Sequence, residues 1–187
     1  MKQAKMSDLH NGNTEDGIRL VDAFLAGLGG ITANTVMLQL APVLHLHPGS
    51  GGVLQLALRF ASRWAPSSLA VLHSMGLTKP PSLFGFLWFH YATGLAMIVF
   101  YFYVFGRCVH GPWMLRSTLF ALIIWLINSG IVYPMLGEGF AGRKMIPATG
   151  ILYFFIANWL FVAISALVYR SLPSRRVPRL RSKIFQR

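Results

Sequence analysis

From Leu83 to Phe105 the chain reads LFGFLWFHYATGLAMIVFYFYVF, 23 residues without a Lys, Arg, Asp or Glu and with His90 as the one strongly polar side chain. Wound as a helix at about 1.5 Å per residue, it measures about 34 Å, enough to cross a hydrocarbon core about 30 Å thick. A helix on the surface of a water-soluble domain needs a polar face, and this stretch has none of useful width. It predicts a transmembrane helix, and the rest of the chain must supply neighbours that are stable in lipid.

Composition agrees. Of 187 residues, 55% are apolar and 12% charged, with mean hydropathy +0.55; an ordinary soluble domain carries about 25% charged residues. The length suits one membrane domain with short tails. The net charge of +12 comes from 17 Lys and Arg against 5 Asp and Glu, and seven of the basic residues lie between Arg170 and Arg187. That tail has Phe185 as its only aromatic and no recognised nucleic-acid motif, so nucleic acid is not an expected partner. The single cysteine, Cys108, excludes an intramolecular disulfide and any CxxC motif. Residues 1–19 mix Lys2, Lys5 and Arg19 with Asp8, Glu15 and Asp16, and the apolar run behind them lacks an A-x-A stop. A cleaved signal peptide is therefore not expected.

The expected fold class is all-α: a polytopic membrane protein of four transmembrane helices, at about 20–43, 83–105, 117–136 and 147–169, plus one in-plane amphipathic helix. A polar N-terminal tail (1–19) and a basic C-terminal tail (170–187) flank a single membrane domain. The first span carries the small-xxx-small pairs Ala23/Gly27, Ala26/Gly30 and Gly29/Ala33, which let a second helix approach closely in lipid. Gly27, Gly30 and Asn34 form one stripe, so Asn34 should share the packing face. Asp22 suits the positive end of the helix dipole and could pair with Arg19. A dinucleotide-type reading of AGLGG fails, because no strand precedes it and no βαβ pattern follows. The surface segment is assigned to 53–75, where Gln55, Arg59 and Arg63 recur every four residues; two arginines inside a span would be costly.

Orientation follows from Lys and Arg. With four spans, the N-tail, the second connection and the C-tail hold 12 of them, against 5 on the opposite side. The positive-inside rule places both termini in the cytoplasm. Arg175, Arg176, Arg179, Arg181 and Lys183 should then meet anionic lipid, each contributing about 1 kcal/mol near the surface.

Counting from the outer end of each span puts Asn34, His90, Asn128 and Asn158 roughly 10 to 17 Å below the outer surface. Each span thus brings one strongly polar side chain to a similar depth, where lipid drives such groups inward. Two readings remain open: interhelical hydrogen-bond glue, or a polar chamber with His90 as its titratable member. Glu138, near Arg143 and Lys144 in the GEGFAGRK loop, is either one half of a loop ion pair or a gate residue.

Catalysis finds little foothold. There is no GxSxG, no Cys–His spacing and too few carboxylates for a paired acid and base. His45 and His47 alone make a poor metal site. Bis-histidine haem needs two axial ligands within the spans, where His90 stands alone. No metal or cofactor is expected.

The chain resembles the small YagU-like inner-membrane proteins of bacteria. The likeness rests on the glycine-rich first span (Ala26–Gly30), a surface segment, His90 at the head of a small-residue and aromatic span, Tyr133–Gly137 (YPMLG), and a last span running into an Arg-rich tail. It covers Leu83 to Arg176 at the level of pattern and implies a membrane topology; the lack of disulfides, the basic tail and the small size fit a bacterial cytoplasmic membrane, with an organelle membrane as the alternative. The first functional expectation is an accessory or structural membrane component without a catalytic site. The alternatives are a small transporter or channel subunit with a polar site around His90 and a membrane redox enzyme. A transporter of this size should be a homo-oligomer, since four short helices enclose little volume.

Overall fold

The computed structural model describes residues 2–46, 52–77 and 82–172, with 2–19 and Leu69 described by backbone alone. Every regular element among them is helical. Four helices are long and apolar enough to cross a membrane: Leu20–Leu40 within α1 (Lys2–Leu40), then α4 (Leu83–Cys108), α5 (Trp113–Met135) and α6 (Ala148–Ser171). The short helices α2 (Gly52–Trp64) and α3 (Ser68–Ser74) lie between the first and second spans.

Polarity is arranged for lipid. Phe24, Leu25 and Leu28 of α1, Leu122, Leu126 and Ile127 of α5 and Leu152 and Leu167 of α6 point outward, while Asn34, Ser117, Asn128, Ser129 and Ser165 are buried. Large apolar side chains outside and polar ones inside make a stable surface only where the solvent is hydrocarbon. The chain is an all-α, multi-pass membrane protein.

The segment expected as one in-plane helix over 53–75 is two. Pro66 lacks the N–H needed to continue α2 and disfavours helical geometry at Ala65, so the chain turns and restarts as α3. In α2, Leu54 and Leu58 are buried with Leu77 against Phe86 and Phe89, while Gln55, Arg59 and Arg63 are exposed. Arg59 Nη1 donates to the Met135 carbonyl at the end of α5 (3.4 Å). After α3, Ser82 N donates to Gly76 O (2.9 Å) and Ser82 Oγ accepts from Gly85 N (3.0 Å), which caps α4. At its other end α1 begins at Lys2, so helical backbone runs through the polar residues that precede the first span.

Backbone packing runs from α4 to α1, from α1 to α6 and from α6 to α5. The small-residue stripe of α1 serves two neighbours. Gly27 faces Leu95 and Ile98 of α4, whereas Gly30 faces Ser165 and the Phe161 carbonyl of α6. Ala23 and Ala26 are fully buried beside Tyr169 and Phe102. Helices α4 and α5, consecutive in the chain, meet through large rings instead of close backbones. Tyr101 and Phe105 pack on Phe120 at 5.2 and 5.0 Å between centroids, and the Tyr101 hydroxyl pairs with Ser117 Oγ (3.1 Å). At this same end Arg107 lies over Tyr103 and Arg170 over Trp113, an arrangement of cations on aromatic faces typical of a membrane interface. Toward the α2 end the rings of Phe86, Phe89, Phe154 and Phe161 leave space between the spans.

Candidate functional site

That space is a partly open cavity of about 100 Å³ to which all four spans contribute. Its polar lining consists of Asn34 from α1, His90 and Thr93 from α4, Asn128 and Tyr133 from α5, and Asn158 from α6. Gly52, Val53 and Leu54 of α2 cover one side, and phenylalanines from α4 and α6 supply the walls. Asn34, His90, Asn128 and Asn158, one from each span, thus line one chamber.

Their hydrogen bonds do not join them to one another. Asn34 Nδ2 donates to the Ala157 carbonyl (2.9 Å) and ties α1 to α6. Asn128 Nδ2 donates back to Ile124 O (2.9 Å) and Asn158 Nδ2 back to Phe154 O (2.8 Å), each within its own helix. Because the nitrogens take the carbonyls, the three amide oxygens are left, and none accepts a hydrogen bond among the described residues. His90 stacks on Phe86 (5.9 Å between centroids, 6° between planes) with Tyr91 edge-on at 6.4 Å, and its Nε2 is buried without a partner. Glue would be expected to bridge helices, and only Asn34 does so.

Tyr133 enters the chamber through a helical irregularity. In an α-helix at 3.6 residues per turn, Asn128 and Tyr133 would point about 140° apart. Residues Asn128–Val132 instead form a π turn, whose i→i+5 closure brings the two onto one face. Pro134, next in sequence, has no N–H to offer the preceding turn, so the regular ladder is already interrupted there. Gly52 of α2 fits against the Tyr133 ring, where an added Cβ would lie 3.3 Å from its edge. Thr93 does not stand out in the sequence, and Tyr133 does so only as the start of the YPMLG stretch, whose Pro134 near the end of a span was the one cue to the irregularity.

Glu138 lies beyond α5, outside the chamber lining. Its backbone N–H donates to Tyr133 O (2.9 Å) and its carbonyl accepts from Lys144 N (3.1 Å). Its carboxylate forms no salt bridge with Arg143 or Lys144, so the loop is shaped by backbone bonds and by Gly137, Gly139 and Gly142, all with positive φ. Arg175, Arg176, Arg179, Arg181 and Lys183 lie outside the described residues, as does His47. Among the described residues no group of three His, Cys, Asp or Glu side chains could hold a metal ion. No protein-family model, curated protein or solved structure matches the chain.

Proposed function

We propose that this membrane protein is a transport component that admits a small polar solute into the chamber at the α2 end of its bundle. The observation that carries the proposal is the convergence of Asn34, His90, Asn128 and Asn158, one from each span, on a single cavity, with the three asparagine oxygens unclaimed by donors among the described residues. Polar groups buried in a bilayer without mutual bonds are costly to keep, and a hydrated or ligand-filled chamber offsets that cost. In this proposal both termini are cytoplasmic, from the asymmetry of Lys and Arg, and the chamber lies in the outer half of the bilayer. The YagU-like pattern supports a bacterial cytoplasmic membrane, and the tail from Arg175 to Lys183 rests on anionic lipid. A homo-oligomer is the natural assembly, because one bundle encloses only about 100 Å³.

The competing reading is an accessory component in which these residues only hold helices together. It is favoured by one contact, Asn34 to Ala157. Water access separates the two. In a protein with Cys108 replaced by alanine, Thr93→Cys places a thiol on the chamber wall and Ala92→Cys places one on the exposed outer face at the same depth. A small methanethiosulfonate reagent, which needs the thiolate and therefore water, should modify Thr93→Cys at least about tenfold faster than Ala92→Cys in reconstituted vesicles. Equal inertness of both would leave the accessory reading standing and remove the chamber.

A further inference from the structure

The chamber's lining also restricts what it accepts. We infer that its ligand is a small uncharged molecule rich in hydrogen-bond donors, of the urea, primary amide or short polyol class. The inference rests on the chamber reading above and adds the ligand chemistry.

Charge comes first. None of the residues around the cavity is Asp, Glu, Lys or Arg, and His90 and Tyr133 are its titratable side chains. An anion stripped of water at this depth finds no fixed positive charge, and a cation would have only neutral oxygens to replace its hydration shell, so the wall favours an uncharged ligand. Hydrogen-bond polarity comes next. The amide nitrogens of Asn34, Asn128 and Asn158 are committed to backbone carbonyls, which leaves three acceptor-only oxygens for whatever fills the space. Asn34 and Asn128 are 5% and 7% exposed as whole residues, so little of either side chain reaches the outer surface. The hydroxyls of Thr93 and Tyr133 also line the cavity, make no hydrogen bond among the described residues, and can act either way. A ligand that satisfies this wall must bring more than one N–H or O–H donor.

Size and shape complete the description. An apolar cavity of about 150 Å³ accommodates the six carbons of benzene, so by proportion about 100 Å³ suits roughly four non-hydrogen atoms. Phe86, Phe89, Phe154 and Phe161 give the remaining wall, which favours a flat or partly apolar body over a fully hydrated one. Urea and acetamide meet all three conditions, and glycerol sits at the upper limit of size.

The test uses protection of Thr93→Cys in the full-length protein lacking Cys108, reconstituted in vesicles. Urea, acetamide and glycerol, each at about twice its dissociation constant, should slow modification about threefold through occupancy alone. Potassium formate, methylammonium chloride and sucrose at matched osmolarity should leave the rate within about 1.3-fold. In the same background, Asn128→Leu or Asn158→Leu removes an acceptor while keeping the branching and number of heavy atoms, and should abolish protection by urea while the thiol still reacts. Protection by formate or methylammonium equal to that by urea overturns the ligand class, as does protection by none of the three neutral solutes. Failure of Thr93→Cys to react with no solute present is a different result and removes the chamber itself.

Discussion

Replacing Gly30 by alanine probes the close contact between α1 and α6. A Cβ built on Gly30 lies 2.5 Å from the Phe161 carbonyl oxygen and meets Ser165 Oγ as well. Real Cβ atoms essentially never approach another heavy atom within 3.0 Å. A serine hydroxyl can rotate aside, but a helix carbonyl cannot, so α1 and α6 must separate by about half an ångström or more. Asn34 sits one turn further along the same face, and its 2.9 Å bond to Ala157 O lengthens with that separation. Overpacking of this kind costs about 1–3 kcal/mol, roughly a 5- to 150-fold shift in the folding equilibrium. Two controls set the scale. At Gly27 the nearest atom is the tip of the Leu95 side chain at 2.9 Å, which can give, so Gly27→Ala should cost less. At Gly130 nothing lies within 4 Å, and Gly130→Ala should be neutral within about 0.5 kcal/mol. Unfolding in mixed micelles by SDS titration, followed by far-UV circular dichroism, should rank the variants Gly30, Gly27, Gly130 from most to least damaging. Indistinguishable midpoints for Gly30→Ala and Gly130→Ala would refute the claim that small residues set the α1–α6 distance.

Two further outcomes are expected. The Tyr101 hydroxyl and Ser117 Oγ are each other's partners in a site where the residues are 3% and 1% exposed; Tyr101→Phe and Ser117→Ala should each destabilise by about 1 kcal/mol, and the double variant by clearly less than the sum. Additive losses in an SDS-titration double-mutant cycle would show that the contact carries no energy. Cys108 is exposed at the end of α4, on the side that the Lys and Arg asymmetry places in the cytoplasm. A membrane-impermeant maleimide should therefore label it in inside-out vesicles and not in right-side-out ones, and the opposite pattern would invert the proposed orientation.

By itself the sequence determined the solvent and the number of crossings. Runs such as Leu83–Phe105 have one stable environment, because a backbone with apolar side chains on every side satisfies its hydrogen bonds as a helix and its surface in lipid. Span positions followed within a few residues, and counting 1.5 Å per residue put four polar groups at one depth. That same uniformity hid the rest. A helix that is apolar all round carries no periodicity to say which face turns inward, so whether Asn128 met Asn158, a neighbour's backbone or open space was decided by packing alone. Tertiary structure split the Gly27–Gly30–Asn34 stripe between two partners and wedged α4 from α5 with the rings of Tyr101, Phe105 and Phe120. It also wound Asn128–Val132 into the π turn that delivers Tyr133, and folded α2 over the gap. All four spans and α2 line the chamber, a volume that no single helix encodes.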